Sequence, residues 1–153
     1  MKPRPAVVRL VRTRYPHWGG HTAFNALPRH FRAGRFRLRL SEVAMGEGPR
    51  FCAPLYRRLL RRLKGGRLQE YQAPDLMAEL GVFARALWRA TDLVHLIDAE
   101  HSFLLLPGLL RRASRLKPMP KVIAMYHQPP SVLARIMDPT IAARADHVLT
   151  VAP

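Results

Sequence analysis

The sequence predicts an α/β fold: a mostly parallel sheet with helices on both faces. Three observations predict it. Short apolar, β-branched segments such as Asp92–Ile97 (DLVHLI) and Lys121–Tyr126 (KVIAMY) read as strands buried on both faces. Longer stretches with apolar residues at helical spacing lie between the strand candidates. Strands alternate with helices along the chain, which implies right-handed βαβ units. A length of 153 residues makes one domain, 1–153, the default, and 48% apolar content supports a packed core over a disordered chain.

Val8, Leu10 and Val11 supply a first strand. Tyr15-Pro16-His17-Trp18 stops it, because proline lacks the donor a ladder requires. Gly19-Gly20 then lets the backbone take positive φ or approach a ligand closely, and Thr22 can cap a helix over Ala23–Phe31. Such a turn aims backbone N–H groups at an anion, although a glycine pair alone reads equally well as a tight turn. Phe36–Val43 alternates apolar and polar residues, and Arg37 and Arg39 suit an edge strand whose outer face meets water. Over Pro54–Lys64, Leu55, Tyr56, Leu59, Leu60 and Leu63 share one helical face, and Arg57, Arg58, Arg61 and Arg62 the other.

Leu68–Tyr71 is a short strand candidate. Asp75 serves as N-cap for a helix whose buried stripe is Leu76, Met77, Leu80, Ala84, Leu87 and Trp88. A polar loop, Asp98–Ser102, follows the strand Asp92–Ile97. A helix over Phe103–Leu116 is expected to be irregular at Pro107-Gly108. After Lys121–Tyr126 comes the loop His127–Ser131, in which Ser131 can cap a helix over Val132–Met137. Asp138-Pro139 starts a short helical turn, and His147–Val151 is the last strand.

Composition narrows the function classes. Cys52 is the single cysteine, so no intrachain disulfide forms and a reducing compartment fits. Arginines interrupt the basic N-terminus, which lacks the continuous apolar core of a signal peptide. The longest apolar run, Phe103–Leu110, is far too short to span a bilayer, so a soluble, cytoplasmic protein is expected. The net charge of +16 argues for attraction to polyanions such as nucleic acid, an anionic membrane face or phosphorylated ligands. Arginine supplies nearly all of it, however, and a bias of composition explains that equally well. The chain has no GxGxxG, no GxxxxGK[ST] and no G-x-S-x-G, and nothing near Cys52 activates a thiol.

The carboxyl ends of parallel strands fall on one edge of the sheet, where ligands bind. Three loops are expected there: His17-Trp18-Gly19-Gly20-His21, Asp98–Ser102 and His127–Ser131. They hold four of the seven histidines, His17, His21, His101 and His127, and this clustering singles them out as site candidates. His127 reads either as a histidine satisfied by a backbone carbonyl or as a ligand-facing acid/base group. His95, inside a strand, reads as a packing residue. Asp98, Glu100 and His101 have metal-ligand chemistry but no zinc spacing, so no metal is expected. Glu100 suits a ligand hydroxyl or a cap for the helix after it. Trp18 and Tyr126 could stack on a sugar or belong to the core.

Together, Tyr15–Thr22 with its glycine pair, His95–His101, Val122–Pro130 (VIAMYHQPP) and Ala143–Pro153 (ARADHVLTVAP) resemble the N-terminal domain of retaining GT-B glycosyltransferases of the family-4 kind. The resemblance implies a Rossmann-like, acceptor-side half of a GT-B architecture. It places Gly19 and Gly20 at the donor phosphates and His127 at the transferred sugar as the catalytic candidate. Acceptor contacts fall to His17, Trp18, Glu100 and His101. It implies a nucleotide-sugar as substrate, an acceptor glycan or lipid, no cofactor and no metal. The C-terminal donor-binding domain is absent from the sequence, which implies a chain inactive alone: a truncated product, or half of a split enzyme with a separate donor domain. The Arg57, Arg58, Arg61 and Arg62 patch suits an anionic surface, peripheral to the inner membrane. The alternative function is an arginine-rich nucleic-acid- or anionic-membrane-binding α/β module without catalysis. No recognised nucleic-acid motif appears, which weighs against nucleic acid.

Overall fold

A computed structural model of the chain describes residues 6–14, 36–44, 53–63, 72–136 and 139–150. In order they form β1 (Ala6–Arg14), β2 (Phe36–Ala44), α1 (Ala53–Leu63), α2 (Ala73–Trp88), β3 (Leu93–Leu96) and α3 (Ala99–Ser102). Then come α4 (Leu106–Ala113), β4 (Lys121–Tyr126), α5 (Pro130–Ile136), α6 (Pro139–Ala142) and β5 (His147–Thr150). The strands make one five-stranded sheet, ordered β2-β1-β3-β4-β5, and every pairing is parallel. This is the doubly wound α/β architecture of Rossmann-like folds. The connection from β1 steps to one side and all later ones step to the other, so the winding reverses between β1 and β3.

The core follows from the pleat. Val11, Val94, Leu96, Val122, Ala124 and Tyr126 point to one face of the sheet. Ala78, Val82 and Ala86 of α2, with Leu106 and Leu110 of α4, close over them. The helix expected over Ala23–Phe31 and the strand expected over Leu68–Tyr71 lie outside the described residues. β2 takes the edge position that Arg37 and Arg39 imply, and both arginines are exposed.

Two aspartates fix the strand register. Asp92, just before β3, accepts the Arg9 N–H at 2.7 Å. Asp146, just before β5, accepts the Val122 N–H at 2.9 Å and the Lys121 ammonium at 2.7 Å. Each therefore reads the backbone of the strand beside its own.

Several expected details change. Asp75 is not the N-cap of α2. Gln72 holds that place, and Asp75 sits at N3 and accepts the Gln72 N–H at 2.6 Å, as in a capping box. The buried face of α2 is Leu76, Ala78, Glu79, Val82 and Ala86, while Trp88 is 79% exposed. Asp98–Ser102 is not a plain loop, because Ala99–Ser102 forms the short helix α3. Pro107 does not disturb a long helix. It occupies the first turn of α4, where its missing N–H costs nothing, so the helix starts there. α5 begins at Pro130, ahead of the expected Ser131 cap.

Glu79 explains why a carboxylate sits within the buried face of α2. It is fully buried and accepts the N–H groups of Leu104, Leu105 and Leu106 at 2.5 to 2.6 Å. Those are donors that the start of α4 leaves without helical partners, and a negative charge there also meets the helix dipole. At the other end of α2, Lys117 Nζ donates to the carbonyls of Ala86 and Leu87 at 2.9 and 2.6 Å.

Candidate functional site

The winding reverses between β1 and β3, and the carboxyl ends of β1, β3 and β4 stand side by side at that edge of the sheet. Thr13, fully buried on β1, accepts the Ile97 N–H on its Oγ1 at 3.0 Å and joins the ends of β1 and β3. The chain turns directly into α3, and His101 N–H donates to the Asp98 carbonyl at 3.2 Å. Asp98 itself is buried. At the end of β4, His127 is held twice. Its backbone N–H donates to Glu100 Oε1 at 3.1 Å, and its ring Nε2 meets the Ile97 carbonyl at 2.5 Å. A carbonyl only accepts, so this contact sets the Nε2–H tautomer. The loops after β3 and β4 thus meet through Glu100 and His127, residues 27 positions apart.

Polar groups stand behind this junction. Arg12 of β1 is level with Glu42 on β2 and with His95 on β3, and it is 1% exposed. Burial lowers the Arg12 pKa, and Glu42 opposes the shift. Burial, then Arg12, then His127 bring the His95 pKa down to about 4, so the ring is neutral at physiological pH. Among the described residues, His95 Nε2, Glu100 Oε2 and the Tyr126 hydroxyl are buried without a hydrogen-bond partner. Burial, with the Glu100 charge behind it, raises the Tyr126 pKa and keeps the phenol protonated. A protonated phenol is a donor and the Glu100 carboxylate an acceptor, and both atoms lie closed off from solvent behind the junction.

Of the residues expected in the site, Glu100 and His127 are brought together, and His101 lies on α3 beside them. Glu100 does not cap the helix after α3. Glu79 does that, and Glu100 holds the His127 backbone instead. The ring of His127 has the backbone-carbonyl contact that was one of its two readings. His17, Trp18, Gly19, Gly20 and His21 lie outside the described residues. Arg57, Arg58 and Arg61 are exposed on α1, and the side chain of Arg62 lies outside the description. Leu55 on the same helix is 66% exposed, so part of its leucine face also meets solvent.

Sequence reading missed Arg12, Thr13 and Glu79. Arg12 had a signal: a charged residue inside a strand that the pattern already placed in the sheet. Thr13 and Glu79 had none, since their partners are 84 and 25 to 27 residues away. Among the described residues, no group of three or more His, Cys, Asp or Glu is placed to hold a metal ion. Nor is any helix among them long and apolar enough to cross a membrane. Compared with protein families, with curated proteins and with solved structures, the chain finds no match.

Proposed function

We propose that the chain is the acceptor-side domain of a retaining GT-B glycosyltransferase. In this reading the sheet edge beside β3 and β4 receives a hydroxylated ligand next to a nucleotide-sugar. The observation that carries it is the Glu100–His127 junction at the carboxyl edge of a parallel sheet, beside the point where the winding reverses. Glu100 Oε2 and the Tyr126 hydroxyl are unmatched polar atoms buried behind that junction. His127 takes the place nearest the transferred sugar, Gly19 and Gly20 approach the donor phosphates, and His17, Trp18 and His101 contact the acceptor. Turnover in this architecture needs a second, donor-binding domain, so the test of this chain is binding.

Titration of the 15N-labelled chain with UDP- and GDP-sugars and with simple glycosides is expected to shift the amides of Ile97–His101 and Tyr126–Gln128. Glu100→Gln is expected to weaken the effect about tenfold, the scale of one lost charge-assisted hydrogen bond. Shifts confined to α1, or none at the two loops, would remove the reading.

One observation favours the rival. Arg57, Arg58 and Arg61 stand exposed together on α1, beside exposed Leu55 and Leu59, with no acidic residue on that helix. A non-catalytic module would use this helix on nucleic acid or on an anionic bilayer. Tight duplex-DNA binding with a steep salt slope, or sedimentation with anionic vesicles only, supports it if the amides of the two loops stay silent.

A further inference from the structure

A concavity lies at the amino edge of the sheet, opposite the Glu100–His127 junction. It has a volume of about 500 Å³ and runs between α4 and the starts of β4 and β5. Phe103, Leu110 and Val122 give it an apolar floor. Arg111, Lys121 and Arg144 stand along its rim with one carboxylate, Asp146. That carboxylate is already engaged, because it accepts from the Lys121 ammonium and from the Val122 N–H. The two arginines make no side-chain ion pair among the described residues. Three cations against one committed anion leave the rim positive over an apolar base. Gly108 lines the same concavity, and a Cβ built on it meets nothing within 4 Å. The space above that helical turn is therefore open.

We propose that this groove binds a small molecule with an apolar body and a single anionic group, a phosphate monoester or a carboxylate. The volume falls in the range of small-molecule sites. Phe103, Leu110 and Val122 are already buried, so an apolar body packs against their outer atoms and covers half-buried Met119, and the planar guanidinium groups of Arg111 and Arg144 suit an oxyanion. The site is separate from the Glu100–His127 junction and does not depend on the sugar-transfer reading.

Calorimetric titration of the full chain with n-octyl phosphate tests it, with inorganic phosphate and n-octanol as the head and the body alone. Octyl phosphate is expected to bind, and each part alone to bind at least about tenfold more weakly. Arg111→Gln with Arg144→Gln, both at exposed positions, is expected to cost about tenfold or more in affinity. Gly108→Leu, which fills the groove, is expected to abolish binding without lowering the melting temperature. A phosphate control that binds as tightly as octyl phosphate, binding that survives both variants, or no binding at all would each overturn the proposal.

Discussion

His95 shows how much a single side chain can be set by its neighbours. Its folded pKa is about 4 and its unfolded value about 6.5, since burial, Arg12 and His127 all disfavour the imidazolium. Above pH 6.5 the ring is neutral in both states and costs nothing. As pH falls from 6.5 to 4 the unfolded chain takes up the proton first, so stability is lost, by about 3 kcal/mol in all. Urea unfolding at pH 4.5 and pH 7 should therefore show a smaller acid loss for His95→Gln than for the unaltered chain. Gly81 makes a second point at this scale. A Cβ there would sit 3.0 Å from Cγ1 of Val43, which is itself buried. Gly81→Ala is expected to destabilise by about 1 kcal/mol, although alanine is the better helix former, because the packed valine cannot give way. Thermal unfolding of the variant measures the sign.

Helices and strands differ in how plainly the sequence announced them. β3 and β4 were legible because an apolar run bounded by polar residues and proline has few other uses in an α/β chain. The presence of α2 was legible too, but its N-cap lies three residues ahead of the expected Asp75, and of its expected buried stripe only Leu76 is fully buried. Large side chains marked Met77, Leu80, Leu87 and Trp88, whereas the sheet takes Ala78, Val82 and Ala86. A helix that lies close on a sheet needs small residues at the contact, so bulk misleads there. Glu79 was hidden for a different reason: its role is to satisfy another helix. Glu79→Ala would leave three backbone N–H groups of the α4 start without their acceptor, two of them partly buried. The expected cost is about 3 kcal/mol or more. Denaturant unfolding would read the loss, and amide exchange would place it at Leu104–Leu106.

Across the described sheet, strand pairing and burial thin from the middle outward. β1, β3 and β4 each have strands on both sides, while β2 and β5 have one neighbour among the described strands, and every residue of β5 is exposed. Amide exchange is expected to be slowest at Val94, Leu96 and Ala124 and fastest in β5. Comparable protection of β5 and β3 would contradict that ranking. The sheet edge that carries the candidate site was legible from strand alternation alone, since parallel strands must share it. The junction between Glu100 and His127 was not, because a hydrogen bond across separate loops leaves no periodic trace in the chain. The aspartates ahead of β3 and β5 carry a last consequence. If either strand slid by one residue, its carboxylate would miss the neighbouring amide, and every inward valine or leucine would turn outward. Asp92 and Asp146 therefore act as index pins. Their removal should yield a sheet that still collapses but pairs in more than one alignment.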